Sequence, residues 1–306
     1  MFRSFRTTAH LHATLDNKTR SAGLKTPALI GFSAVYVSSL LVLLFVFIIS
    51  CAIDGVIHGG STLFTSIWRP EEGHFGILPM LSATTALSVS SLLLGWCITL
   101  GVVSFIHGFG SRRAAACLHS LLRTMTAMPT VVYGFASVFL LAPVIRDALG
   151  GTGFSWLTAT LLLALLITPT MSLTISGAVE QLMKESSVTA EALGFSRAEQ
   201  FVYIALPAAK KWLFSAALLG FGRACGDTMI PTMLAGNAVQ HPCLPSDAIR
   251  TLTAHIGLVM SSDVGGTAYY SLFVSGGILL IVCVAANLLF RFSVKAKMKK
   301  TDEMEI

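Results

Sequence analysis

The chain has 306 residues, of which 54% are hydrophobic and only 12% charged, about half the charge of an ordinary soluble domain. With a mean hydropathy of +0.76 it is excluded from the soluble globular class and reads as a polytopic membrane protein. A net charge of +6 would signal nucleic acid only if it gathered on one face with interleaved aromatics, and its distribution along the chain shows no such face. Six cysteines are scattered, most of them within apolar runs and without a CxxC or any metal-ligand spacing; a free Cys there behaves as a small hydrophobe. No disulfide, metal site or cofactor is read from them.

In chain order, residues 1–28 form a polar, basic N-terminal arm. Leu29 to Ile53 is a charge-free run of 25 residues, enough to cross a hydrocarbon core of about 30 Å. A cleaved signal peptide would have a shorter apolar core and an A-x-A site after it. A Gly-rich polar loop, Asp54 to Pro79, precedes a second span over Leu81–Ile106. Arg112 and Arg113 mark the next loop. The third span is the uncharged run Thr124–Ile145, with a kink expected at Pro129. The fourth covers Trp156–Val179 with Pro169 inside it. A polar segment of about 180–211 follows, then a fifth span over Trp212–Leu234. The loop Asn237–Gly266 has an apolar middle, 249–259, able to lie back on the membrane. The sixth span is Thr267–Phe290, and residues 293–306 form a basic tail, so that the six-span unit occupies 29–292.

The basic residues orient these spans. The arm carries five Lys/Arg, the loop after span two three, the segment after span four four and the tail five, against one each (Arg69, Arg146, Arg250) in the three opposite loops. By the positive-inside rule both termini and the 180–211 segment are expected in the cytoplasm.

That segment has local signals of its own. Gly194 can end a helix in the left-handed conformation. Ser196-Arg197-Ala198-Glu199 has the form of a capping box opening a second short helix. Phe201, Ile204 and Val202 offer that helix apolar surface, and Pro207 stops or bends it before the chain re-enters the membrane. A helix–turn–helix projecting from a bundle can dock in a partner's groove or rest on lipid headgroups; the residues alone leave both open.

The spacing Gly194, nine residues, Ile204, one residue, Leu206-Pro207 resembles the coupling loop of bacterial ABC importer permeases, which fits a cleft on the ATP-hydrolysing subunit. The usual E-A-A lead-in falls on Val188, Thr189 and Ala190, so its Glu is absent. Within that group, GFGRACGDTMIPTMLAGN (220–237) resembles the phosphate-importer permeases of the PstA/PstC family, on the PstC side because Thr228-Met229 stands where the PstA type has T-A-P. Met128–Gly134 (MPTVVYG) and Phe75–Pro79 (FGILP) are similar to further stretches of that family. Asp227 stands where Glu is usual. The resemblance implies an all-α membrane protein with six transmembrane helices and the type I, MetI-like permease fold in a bacterial inner membrane. It implies three partners: an ABC ATPase subunit of PstB type, a second permease of PstA type and a phosphate-binding protein of PstS type. It places Ala190, Gly194, Ile204, Leu206 and Pro207 in the coupling loop, and Arg223, Asp227 and Thr228 on the substrate pathway.

Physical chemistry bears on that pathway directly. An unpaired Arg at mid-membrane costs on the order of 3 kcal/mol. In one continuous helix Arg223 and Asp227 are i and i+4, so pairing across one turn is expected. The pair is either a structural ion pair or a guanidinium whose planar fork engages a tetrahedral anion in transit. Sulfate or molybdate would suit the same fork. An intramembrane enzyme acting on lipid phosphate would need a second buried polar cluster, and a non-transporting sensor scaffold needs no anion contact. There is no GxxxxGK[ST] motif, so ATP hydrolysis is expected of a partner and no catalytic residue is assigned.

Overall fold

The computed structural model describes the backbone of residues 3–260 and 267–302, and the side chains of residues 31–260 and 268–288. The side chains of the basic arm and tail lie outside the described residues. The chain divides into two units, Met1–Cys51 and Ala52–Ile306. The first consists of the greater part of α1 (Arg3–Gly59). From Phe32 to Phe47 its apolar side chains are exposed all round, which only a lipid environment satisfies.

The second unit is a helical bundle built on α2 (Leu78–Ser104), α5 (Trp156–Glu185) and α9 (Lys210–Gly226), which pack on one another. Between α2 and α5 in sequence come α3 (Arg112–Ala127) and α4 (Thr130–Leu149). Leu87, Leu163, Ile167, Met171 and Ile175 are fully buried at the centre. Lipid is as apolar as leucine, so such helices associate through close packing and interhelical hydrogen bonds. Both devices are present. Gly95 lets α2 approach α5 so closely that a Cβ there would stand 2.9 Å from Ile167 Cγ1 and 3.2 Å from the Ala164 carbonyl. Trp156 Nε1 donates to Ser90 Oγ (3.1 Å), and Ser90 Oγ and Thr160 Oγ1 share a bond of 2.9 Å. Thr84, Thr85, Thr168 and Thr174 return their hydroxyls to carbonyls one turn back.

The Asp54–Pro79 loop folds over one end of this bundle. Helix α1 continues to Gly59, and Trp68–Arg69 (β1) pairs antiparallel with His74–Phe75 (β2) in the register Trp68 opposite Phe75. Trp68 stands edge-on to Phe75 (5.8 Å) and to His255 (4.4 Å), above a small core of Leu63, Ile77, Met80, Leu252 and Val274.

Among the described residues five helices are long and apolar enough to cross a membrane, and the number reaches six if a bent pair, Arg197–Ala208 with Lys210–Gly226, counts as one span. Three boundaries differ from the sequence expectation. The uncharged run from Thr124 joins two elements: α3 ends at Ala127, and α4 starts at Thr130 with Pro129 as its N-cap. Proline forces Met128 into extended backbone (φ −83°, ψ 137°), so the chain breaks instead of kinking. Residues 112–123, read as a loop, belong to the amphipathic helix α3. The apolar middle of the last loop is α11 (Leu252–Val259), whose Leu252, Thr253, Ala254, His255 and Val259 are buried where it meets α2, α10 (Met229–Leu234) and α12 (Thr267–Asp302).

The close approach at Gly95 is testable. Gly95→Val should lower the thermal midpoint of the detergent-solubilised protein, at a cost of about 1–3 kcal/mol for overpacking. Gly101→Val on the same helix meets open space and should change it little. Equal effects would show that helix propensity alone is being read.

Candidate functional site

The fifth span is not one helix. Pro231 has no N–H to give the Asp227 carbonyl, and its ring would clash with that carbonyl in a continuous helix. Helix α9 accordingly ends at Gly226, Asp227 is extended (φ −71°, ψ 125°), and α10 begins at Met229. The released Asp227 carbonyl accepts from Thr253 Oγ1 of α11 (2.9 Å).

This break corrects the expected Arg223–Asp227 ion pair. Among the described residues the ion pairs are Arg69–Glu72 and Arg146–Asp147, both at exposed sites. Arg223 sits in the last turn of α9 and donates from Nη1 to Thr170 Oγ1 of α5 (3.0 Å), the residue after Pro169. Asp227 Oδ1 accepts from the Ile230 N–H (2.9 Å) at the start of α10. Each charge thus stands at the helix end its sign favours, cation at a C-terminus and anion at an N-terminus. The carboxylate serves as a cap, and the half-buried guanidinium rests beside a hydroxyl. Thr228 is half-buried, its Cγ2 about one van der Waals contact from the place a Cβ on Gly257 of α11 would take (3.5 Å). The three residues named from sequence therefore gather at one break, facing α5 and α11.

Beyond α10 the chain turns at Gly236 (φ 83°) and Asn237 (φ 58°). Asn237 Nδ2 returns to the Thr232 carbonyl (2.7 Å), and Arg250 Nε donates to the Asn237 carbonyl (2.9 Å). Further along, the Asp247 and Pro245 carbonyls accept the N–H groups of Trp156 and Leu157 at the start of α5. The Asp247 carboxylate accepts from Cys243 and Leu244 N–H, which holds it below the usual carboxylate range. Thr170, Thr253 and Asn237 were not singled out from sequence as site residues. Pro231, four residues past Asp227, was the readable signal of the break.

At the opposite end of α5 the 180–211 segment forms the helix–turn–helix its sequence describes. Helix α6 (Ser187–Ala192) closes with Gly194 at φ 71°, Phe195 N–H bonding the Ala190 carbonyl and Gly194 N–H the Glu191 carbonyl. These are the two bonds of a Schellman motif, and Ala190, whose carbonyl accepts one of them, is buried. The capping box is complete: Ser196 N–H donates to Glu199 Oε2 (2.8 Å), and Glu199 N–H donates to Ser196 Oγ (3.3 Å). Helix α7 (Arg197–Glu199) continues through a π turn over Gln200–Ala205 into α8 (Leu206–Ala208), followed by a 71° bend into α9. Pro207 lies in α8 just ahead of the bend.

The outward face of this segment differs in part from the expectation. Phe201 faces inward at 1% exposure, packed on Gly108, and Ile204 and Leu206 are half-buried. The outward apolar groups are Val188 (78% exposed), Leu193, Phe195, Tyr203 (69%) and, as expected, Val202, together with Gly194 and Pro207, which are exposed. In the π turn Phe201 turns toward the bundle and Tyr203 away from it. Gln200 Nε2 donates to the Met183 carbonyl (2.7 Å) and Ser186 Oγ (3.0 Å), fastening the second short helix to the end of α5.

The family described as binding-protein-dependent transport system inner membrane component matches residues 98–299, so the chain belongs to that family. It is a multi-span permease subunit of an ABC importer, and the ATPase of such a system is a separate subunit. The chain is 29% identical over 218 residues to the probable ABC transporter permease protein YqgH of Bacillus subtilis, covering 70% of this chain and 71% of that one. It is 25% identical over 258 residues to the phosphate transport system permease protein PstC of Xylella fastidiosa (77% and 78%). The PstC of Haemophilus influenzae is 25% identical over 270 residues (79% and 83%). In fold it is similar to the inward-facing MetNI methionine ABC transporter, with a TM-score of 0.57 at 14% identity over 75% of this chain and 99% of the other.

Capping and ion pairing are separable by substitution. Asp227→Asn keeps an oxygen for the Ile230 N–H and should leave the thermal midpoint nearly unchanged. Asp227→Ala removes it and should cost about 1 kcal/mol. Equal destabilisation by both would restore the ion-pair account.

Proposed function

We propose that the chain is the permease half of an ATP-driven importer of inorganic phosphate, with Arg223 as its anion contact. The observation that carries this reading is the placement of Arg223: it is held by the Thr170 hydroxyl at a helix break inside the bundle, and among the described residues no carboxylate lies within 4 Å of it. A guanidinium so placed presents its remaining N–H groups to a passing oxyanion, and its planar fork matches phosphate oxygens. Asp227 caps α10 and keeps the break open, and Thr228 stands beside it as a hydroxyl on the same path. The PstC names of several relatives support phosphate over sulfate or molybdate. The partners in this reading are a PstA-type permease, a PstS-type binding protein and a PstB-type ATPase, the last received by the surface around Val188, Leu193, Gly194, Tyr203 and Pro207. Both termini and the 180–211 segment face the cytoplasm, as the distribution of Lys and Arg supports.

Two experiments test it. Uptake of labelled phosphate per assembled complex should fall below a tenth with Arg223→Gln. Arg223→Lys, which keeps the charge but not the fork, should recover part of the loss at most. Full uptake by Arg223→Gln would remove the residue from the path, and full competition by sulfate would reassign the substrate. For orientation, Cys117 and Cys243 are both exposed. In intact spheroplasts an impermeant thiol reagent should label a Cys243-only variant and spare a Cys117-only variant; the reverse would invert the topology.

A further inference from the structure

A second polar site lies at the coupling-segment end of the bundle, away from Arg223. There a cavity of about 690 Å³ is lined by Arg112, His119 and Arg123 of α3, His107 of the π turn that ends α2, Arg197 of α7 and Glu180 of α5. This is within the range of small-molecule sites. The α3 residues on its wall are Arg112, Ala115, Ala116, His119, Ser120 and Arg123, an i, i+3, i+4, i+7, i+8, i+11 series that covers one helix face. Every large side chain in that series is basic, and the residues between them are Ala or Ser, which leave open space between the charges.

Four observations point to an anion. Three guanidinium groups meet one carboxylate on the cavity wall, and among the described residues none of the three Arg stands within 4 Å of an acidic group. Arg112 occupies the first turn of α3, behind the Ser111 N-cap, where the helix dipole repels a cation and attracts an anion. His107 is 8% exposed, and its Nε2 is buried with no hydrogen-bond partner among the described residues. Arg197 is already oriented, donating from Nη2 to the Ile106 carbonyl (3.1 Å). That leaves most of its fork for a ligand. Such convergence suits a compact, multiply charged oxyanion better than an extended acidic peptide.

We propose that this cavity binds a phosphoryl group, supplied either as inorganic phosphate or by an anionic lipid headgroup. Its cytoplasmic location rests on the orientation given above; its chemistry does not depend on the transport reading. Arg112 and Arg123 stand at the two ends of the α3 wall, roughly 16 Å apart along the helix at 1.5 Å per residue, so one anion held by either of them together with Arg197, from the helix after the Gly194 turn, ties that helix to α3. Occupancy would stiffen the segment that receives the ATPase.

The test uses the assembled complex in nanodiscs, without the binding protein. In phosphatidylcholine discs, equilibrium dialysis of labelled orthophosphate should show binding that falls at least tenfold in Arg112→Gln/Arg123→Gln and persists in Arg223→Gln. If the headgroup is the source, orthophosphate does not bind; instead, native mass spectrometry of discs containing phosphatidylglycerol shows retained lipid on the wild type that the double variant loses. Loss of orthophosphate binding in Arg223→Gln with α3 intact would overturn the proposal, by assigning the anion to the transport path. So would a double variant that binds phosphate and phosphatidylglycerol like the wild type. The same holds for a double variant whose only defect is reduced ATPase association, which would make the cavity a protein-docking face.

Discussion

One missing hydrogen bond organises the centre of this protein. Because Pro231 cannot donate to the Asp227 carbonyl, the fifth span divides into α9 and α10, and three groups take new partners. The carbonyl turns to Thr253 of α11, the Asp227 carboxylate to the Ile230 N–H, and the Arg223 guanidinium to Thr170 of α5. The break therefore joins three helices distant in sequence and leaves a cation in the bundle with no acidic group within 4 Å of it among the described residues. A continuous helix would have let Arg223 and Asp227 neutralise each other one turn apart.

The surrounding architecture is what makes an interrupted helix tolerable in a membrane. Non-helical backbone at that depth survives only where protein or a water-lined cavity covers it. Helix α11, with its buried Leu252–His255 turn, supplies that cover. Its own first N–H groups are met by Thr84 Oγ1 at Leu252 and by Thr251 Oγ1 at Ala254. The hairpin of β1 and β2 then closes over α11 through the Trp68–His255 contact.

Much of this was legible in the sequence, and the failures have a common cause. The spans showed in charge-free length, and the 180–211 segment showed in Gly194 and the Ser196–Glu199 box, because local chemistry decides both. Hydropathy could not separate α3 from α4, since Met128 and Pro129 are as uncharged as their neighbours; only the pre-proline restriction marks that boundary. The same blindness hid the break at Asp227. The i, i+4 rule presumes an unbroken helix, and Pro231 cancels it. Phe201 was placed on the outer surface because a regular helix was assumed through residues where a π turn changes which side chains face the bundle. Thr170 and Thr253 lie far from Arg223 and Asp227 in sequence, so no local pattern could point to them.

Helix α5 runs from the Pro245–Asp247 contacts at one end of the bundle to the 180–211 segment at the other. Gln200 ties the second short helix to Met183 and Ser186 at its last turn, while Thr170 holds Arg223 some fifteen residues earlier, roughly 22 Å away at 1.5 Å per residue. A rod gripped at its tip transmits displacement along its length, and its weakest joint is Pro169, which gives Leu165 no hydrogen bond. That joint lies immediately beside the hydroxyl that holds the guanidinium. A load on residues 187–208 would meet its least resistance at Pro169, and a hinge opening there would draw Thr170 away from Arg223. Work done at one end of the bundle would in that way reach a single cation at its middle.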